Sequence, residues 1–332
     1  MKKKKEEKKE KIESLLEELK KKFGEGSIVR LGQESSLKVE AIPTGSLSLD
    51  FALGVKGIPR GRIVEIFGAE QTGKTTLALH IIAHAQQRGG IGAFIDAEHS
   101  FDPEWAKKSG VNVDDLLISQ PDSGEEALKI AETLINSGKI DVIVIDSVAA
   151  LVPRTELGGE MGEIPVGLQA RLMSHALRKL AGTISKTKSI IIFLNQVRMK
   201  IGQMYGAPET TPGGLALKFY ASVRIQLKRI AQLKKGEKII GNRIEAKIVK
   251  NKVAPPFKTA VFDIYYDEGL SRAGEVFLIG QEKGIIKKSG NYFFFGEQKL
   301  GQGQEQAREF LKENPKILEE IEELLKKEMF SS

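Results

Sequence analysis

The feature that most narrows what this chain can become lies between residues 63 and 87. An aliphatic run, Ile63 to Phe67, leads into Gly68-Ala69-Glu70-Gln71-Thr72-Gly73-Lys74-Thr75-Thr76, and a helical run from Leu77 to Gln87 follows. This satisfies G-x-x-x-x-G-K-[ST] in the strand, loop and helix context that the pattern requires. Its glycines let the backbone curl, so that N–H groups and the N-terminus of the next helix face a phosphate chain. Lys74 is expected to reach the β- and γ-phosphates, and the Thr75 hydroxyl to bind magnesium. A nucleoside triphosphate with Mg2+ is therefore the expected ligand pair.

Further groups complete such a site. Val142-Ile143-Val144-Ile145-Asp146 ends an aliphatic strand in a carboxylate, at the edge where sheets of this kind bind ligands, and Asp146 is the expected second magnesium-side residue. Hydrolysis also needs a group that orients or deprotonates water. Phe94-Ile95-Asp96-Ala97-Glu98-His99 puts two carboxylates past another strand; Glu98, with the longer reach, is the expected base, and Asp96 is expected to be held in supporting hydrogen bonds.

A third strand, Ser189 to Leu194, ends in Asn195-Gln196, and an amide at that edge can sense the γ-phosphate. Behind it a long stretch carries Arg198, Met199, Lys200, Gly202, Gly206, Gly213 and Gly214. A shorter glycine-rich segment, Glu156 to Gly167, precedes Arg171. Long loops are usually functional or disordered. Two of them beside cations point to a nucleic-acid channel, with solvated surface loops an equal alternative on these residues alone.

From Arg62 onward, aliphatic runs alternate with helical stretches, which indicates an α/β fold with a mostly parallel central sheet. Ser222 to Lys228, Ile244 to Lys250 and Thr259 to Tyr266 lack long intervening helices and are expected to close it as antiparallel strands. Ile12, Leu15, Leu16, Leu19 and Phe23 recur at helical spacing, predicting an amphipathic helix over 5–23 whose apolar stripe needs a partner. After about Ser271 a glycine-rich, β-poor connection is expected, then helices near Gln304 to Glu313 and Pro315 to Phe330. The expected organisation is 1–34 an N-terminal helix, which can fold back on its own domain or make a subunit-subunit contact, 35–270 a P-loop ATPase core carrying the two long loops as candidate DNA-binding loops, and 271–332 a small C-terminal module.

Composition excludes several classes of function. Without cysteine the chain has neither disulfides nor thiol chemistry, which fits a reducing cytoplasm. No apolar run approaches the roughly 18 residues of a membrane span. The Lys- and Glu-rich start lacks the apolar stretch of a secretory signal. Formal net charge is +7, a bias that favours polyanions where the cations gather on one surface.

Taken together, these motifs resemble the bacterial RecA recombinase family. The phosphate loop, Asp96-Ala97-Glu98-His99, Val144-Ile145-Asp146-Ser147, Asn195-Gln196 and Gly213-Gly214-Leu215-Ala216-Leu217-Lys218-Phe219-Tyr220 stand in the family's order, as does Thr44-Gly45-Ser46-Leu47-Ser48-Leu49-Asp50. The likeness runs from about residue 12 to about residue 320. It implies a RecA-type core that forms an ATP-dependent helical homo-oligomer on single-stranded DNA, pairs it with a homologous duplex and exchanges strands. Stimulated self-cleavage of the damage-response repressor is also implied.

The resemblance also assigns residues. Glu156 to Gly167 and Val197 to Thr211 would be the DNA-binding loops, and Asp102, Trp105 and Tyr266 would lie against the adenine. Lys250 and Lys252 would act on ATP held by the neighbouring subunit. Two departures stand out: Trp105 replaces the family's usual tyrosine, which preserves stacking, and the sequence reads Met329-Phe330-Ser331-Ser332 where many members carry a long acidic tail, which puts regulation by such a tail in doubt. Two alternatives remain open, a ring-forming relative such as a replicative helicase and a nucleotide-gated DNA scaffold without significant hydrolysis. Glu98 argues against the second.

Overall fold

A computed structural model of the chain describes residues 2–24, 28, 39–158, 167–199 and 209–330. It divides into two compact units, Met1–Val39 and Glu40–Ser332. The first holds α1, Lys2–Phe23, which starts earlier than the apolar spacing predicts because its leading Lys and Glu residues are good helix formers. Lys20, Lys21 and Lys22 in its last turn complement the helix dipole. Leu15 and Phe23 of its apolar stripe are exposed.

The second unit is built on a nine-stranded sheet. Its strands in chain order are β1 (Ile63–Gly68), β2 (Gly92–Asp96), β3 (Leu117–Ser119), β4 (Val142–Asp146), β5 (Ile190–Gln196), β6 (Val223–Lys235), β7 (Lys238–Asn251), β8 (Thr259–Tyr265) and β9 (Gly269–Leu270). They lie in the order β9-β8-β7-β6-β1-β5-β4-β2-β3. From β6 to β3 every pairing is parallel, and from β6 to β9 every pairing is antiparallel. The expected mostly parallel sheet with antiparallel closure is what forms.

Every residue of β1, β2 and β4 is buried, as strands covered on both faces must be. Successive side chains feed opposite faces. Val64, Ile66, Phe94, Val142 and Val144 pack with Leu77 and Ile81 of α3 (Lys74–Gln86), and α2 (Leu47–Leu53) joins that layer through Leu49 and Leu53. Ile63, Ala93, Ile95, Ile143 and Ile145 pack on the other face. Their partners there are Ala127 and Leu128 of α5 (Gly124–Asn136) and Leu177 and Ile184 of α6 (Leu168–Thr187). Two short helices complete the core, α4 (Pro103–Lys108) and α7 (Ala216–Tyr220).

Two expectations are corrected here. The connection after Ser271 is not β-poor: it contains α8 (Arg272–Glu282) and an antiparallel sheet of β10 (Ile286–Ser289), β11 (Tyr292–Phe295) and β12 (Gln298–Gln302). The aromatic run Tyr292-Phe293-Phe294-Phe295 is a strong strand former, but tight turns at Gly290 and Gly296 break the region into pieces too short to show alternation. The β6–β7 hairpin also extends well past Lys228, out to Lys235 and Lys238. Its outer half is mostly solvent-exposed, so no buried face imposes a hydrophobic period there.

Helices α9 (Gly303–Glu313) and α10 (Pro315–Phe330) stand where the periodicity predicts. With α8 they enclose Phe277, Phe293, Leu311, Ile321 and Leu325, against which Leu47 and Phe51 of α2 pack. Among the described residues no helix is long and apolar enough to cross a membrane.

Candidate active site and nucleic-acid interface

The parallel strands bring their C-terminal ends to one edge, where Gly68 lies opposite Gln196 and Asp96 opposite Asp146. Gly68 stands there for lack of room: a Cβ would lie 2.3 Å from the Leu227 carbonyl oxygen. Gly73, the N-cap of α3, has φ +81 and no side-chain cap, so the first N–H groups of that helix remain turned to the loop. Lys74 Nζ donates to the carbonyls of Ala69 (2.8 Å) and Gly68 (3.3 Å). Those oxygens occupy the ammonium as phosphate oxygens would.

The Thr75 hydroxyl donates to Asp146 Oδ2 at 2.7 Å. A hydroxyl beside a carboxylate is a hard-oxygen donor pair suited to Mg2+, which takes one or two protein ligands and completes its shell with water and phosphate. Among the described residues no group of three or more His, Asp and Glu side chains able to hold a metal occurs. Burial pushes the Asp146 carboxyl up to about 6, with Glu98 adding to the rise and the Thr75 hydroxyl opposing it. Burial likewise lowers the Lys74 ammonium, against the pull of Asp146, Glu98 and Glu70. The residues present fit a magnesium nucleotide.

Glu98 is exposed at this edge and accepts hydrogen bonds from the Ser147 hydroxyl and from Gln196 Nε2, the latter at 3.2 Å. Asp96 accepts from the backbone N–H groups of Ser100 and Phe101 and from Gln120 Nε2. It pins the turn that presents Glu98. The geometry thus brings Lys74, Thr75, Asp146, Glu98 and Gln196 together.

A cleft of about 350 Å³ adjoins the loop and is lined by Gln71, Gly73, Thr76, Trp105, Ile264 and Tyr266, among others. Trp105 Nε1 donates to Thr76 Oγ1 at 3.2 Å, which anchors the indole to the first turn of α3. Asp102 does not line this cleft. It caps α4, accepting from the N–H groups of Glu104 and Trp105, and so orients Trp105.

Of the expected DNA-facing residues, Lys200 lies outside the described residues, as do 159–166 and 201–208. Arg198 and Met199 pair through their backbones with Thr210 and Glu209. Gly167 caps α6, and Arg171 is exposed one turn along. Gly213 and Gly214 both have positive φ, and a Cβ on them would meet Val148 and Ala170 at 2.7 and 2.8 Å. Segments behind β4 and β5 are thereby pressed together.

Lys250 and Lys252 stand elsewhere. Lys250 lies opposite Arg224, which lies opposite Glu65, and its Nζ donates to the carbonyls of Lys218 and Phe219. The Lys252 N–H donates to the Ser222 carbonyl, and its side chain lines a cleft with Gly61, Arg62 and Phe219 near the start of β1. From there to Gly68 is about 17 Å at the usual strand rise. Lys250 Nζ is thus engaged by α7, and Lys252 lies near the start of β1, the end opposite Gly68.

Several contributors escaped sequence reasoning. Ser147 holds Glu98, yet a serine after a strand carries no distinctive signal. Gln169 donates to the carbonyls of Val148 and Leu151 and accepts from the Gly213 N–H, joining the two loop segments. Glu65, fully buried, accepts from Arg224 Nε (2.5 Å) and Asn195 Nδ2 (3.0 Å), while Asn195 also reaches the Pro212 carbonyl. Here a signal existed: a glutamate inside Ile63-Val64-Glu65-Ile66-Phe67 is costly to bury unless paired.

Comparison with known proteins agrees with this geometry. The RecA N-terminal domain family matches residues 10–271, and the RecA C-terminal domain family matches 274–329. "Protein RecA" of Chloroflexus aurantiacus is 61% identical over 321 residues, 96% of this chain and 92% of the relative. Its namesake from Caldanaerobacter subterraneus subsp. tengcongensis is 60% identical over 95% of this chain and 92% of its own. The Geobacter sulfurreducens protein of that name is 62% identical over 94% and 92%. With both domain families matched in order and such identity over nearly its whole length, the chain belongs to the RecA family.

Proposed function

We infer that the chain is a DNA-dependent ATPase and recombinase. It forms helical filaments with ATP on single-stranded DNA, pairs that strand with a homologous duplex and exchanges strands in recombination and repair. The observation that carries this reading is the Gln196–Glu98 hydrogen bond, in which the last residue of β5 meets the water-activating carboxylate and the chain then runs on into the DNA-facing stretch. Hydrolysis and DNA engagement share one strand end.

Within the site, Lys74 offsets the β- and γ-phosphate charge while the backbone N–H groups of 68–76 orient the chain of phosphates. Thr75 and Asp146 would hold a magnesium ion, which when bound would supply positive charge against the phosphate oxygens. Glu98, steadied by Ser147, takes the proton from the attacking water. Trp105 and Tyr266 flank the base. Arg171, Arg198 and Lys200 meet the DNA phosphates, with Gly167, Gly213 and Gly214 shaping the loops that carry them. Lys250 and Lys252 act on the ATP of an adjoining subunit, and α1 makes the subunit contact. The chain works in the cytoplasm and promotes self-cleavage of the damage-response repressor.

The test is ATP hydrolysis measured with and without single-stranded DNA, joined to electron microscopy of the assemblies. Stimulation by DNA and open helical filaments are expected. Closed hexamers formed without DNA would favour the ring-forming alternative instead.

A further inference from the structure

A cavity of about 910 Å³ lies away from the phosphate loop. It lies where the ATPase core meets the C-terminal module, between α2, α3, α8 and α10, within the size range of ligand pockets. Its three carboxylates are hydrogen-bonded or paired and are outnumbered by five cations, Lys56, Arg88, Arg272, Lys326 and Lys327. Glu275, fully buried, accepts from the hydroxyls of Ser46 and Ser48 and from the N–H groups of Leu47 and Ser48. Asp50 accepts from the Thr44 N–H and hydroxyl. Glu322 alone serves two cations, Arg272 at 2.5 Å and Lys326 at 2.8 Å.

Its cations are not spent. Among the described residues Lys56, Arg88 and Lys327 line the cavity with no carboxylate at ion-pair distance; Lys56 sits over the Phe330 ring and Arg88 reaches only the Ala41 carbonyl. A concave wall with a surplus of one sign raises the local potential for the opposite charge, even where its cations, like Lys56, Arg88 and Lys327, are exposed. The floor adds a neutral donor. His80 Nε2 accepts from the Leu270 N–H at 2.9 Å, and burial keeps the imidazole neutral down to about 4, so its proton must sit on Nδ1. That Nδ1–H has no acceptor among the described residues.

We propose that this cavity is a binding site for a small multivalent phosphate oxyanion, gripped by Arg88 and Lys327 across the junction of core and module and met from below by His80. Arginine and lysine on two separate elements suit a chain of phosphates better than a single charge. Occupancy would brace the terminal module. It would also be felt along α3, whose first turn carries Lys74, Thr75 and Thr76 and whose same face, at four-residue spacing, carries His80 and His84.

The experiment is calorimetric titration of the full chain, presaturated with ADP and magnesium so that the phosphate loop is filled, using inorganic tripolyphosphate. One ion per chain is expected. Affinity should fall at least tenfold in an Arg88→Glu/Lys327→Glu variant that still binds ADP normally. A second arm titrates further nucleotide into the ADP-saturated chain: tighter binding than tripolyphosphate would make the ligand a nucleotide whose base rests on Phe330 and Val276, and weaker binding would make it an inorganic phosphate chain. No uptake beyond the phosphate loop, or uptake unchanged in the double variant, overturns the proposal. Either result leaves the ATPase reading untouched, because ADP binding is read separately.

Discussion

At the scale of single residues, the proposed chemistry rests on Glu98 being exposed, tethered at one oxygen by Ser147 and Gln196, and pointed by the turn that Asp96 fixes. Glu98→Gln keeps the shape and removes the base. ATP hydrolysis should fall by roughly 10² to 10⁴ while nucleotide and DNA binding persist; loss of ATP binding in an equilibrium titration would make the residue structural. Asp50 offers a second test. Burial raises its carboxyl from 3.8 to about 7, so between those values the folded chain keeps a proton that the unfolded chain has released. Stability contributed at Asp50 is therefore fully present at low pH and lost as pH rises through that window. Asp50→Asn can still accept from Thr44 and should remove this dependence. Measured as a difference in Tm, wild type should lose ground to Asp50→Asn from pH 4 to pH 7, and parallel curves would refute the assignment.

At the scale of elements, the sequence announced whatever was long, periodic or constrained by phosphate geometry. Val142 to Asp146 is legible because five buried residues of alternating face end in a charge that must lie at an edge. The same holds for Gly68 to Thr76, whose glycines answer a close approach and a left-handed turn. What was not legible depends on partners distant in sequence. Ser147, Gln169 and the Glu65–Arg224–Asn195 cluster act through hydrogen bonds that only the sheet order creates, and β10 to β12 are too short to carry a period. The end of β5 lies between these cases. Gln196 was legible as an amide at the ligand edge, but its bond to Glu98 was not. If this residue relays the state of the γ-phosphate to the stretch that begins at Val197, Gln196→Ala should bind ATP yet lose the nucleotide dependence of DNA affinity. Fluorescence anisotropy with labelled single-stranded DNA, in a non-hydrolysable ATP analogue and in ADP, reads this directly; an unchanged ratio of the two affinities would exclude the relay.

At the scale of the whole molecule, the proposed role of Lys250 and Lys252 on a neighbour's ATP would make the phosphate site depend on assembly. Lys250 stands level with Glu65 in the middle of β1 and is held by the carbonyls of Lys218 and Phe219, while Lys252 lies near the start of that strand. Burial, then Lys252 and Arg224, lowers the Lys250 ammonium, against the opposing pull of Glu65. A phosphate chain presented by another copy would add to that pull. Cations delivered in this way stabilise transition-state charge as an arginine finger does. An interface that joins unlike faces in this manner propagates as an open helix when its rotation does not close. The prediction is complementation. A Lys250→Ala/Lys252→Ala chain keeps a sound phosphate loop but offers no cations, and a Lys74→Ala chain offers cations but has a disabled loop. Each alone should be nearly inactive in DNA-dependent hydrolysis. Mixed on single-stranded DNA, they create interfaces where an intact loop faces intact lysines, and activity should return to a fraction set by the mixing ratio, highest near equal amounts. Co-assembly is checked independently by energy transfer between labelled chains. Absence of recovery in filaments shown to contain both would mean that the lysines serve the fold of their own subunit.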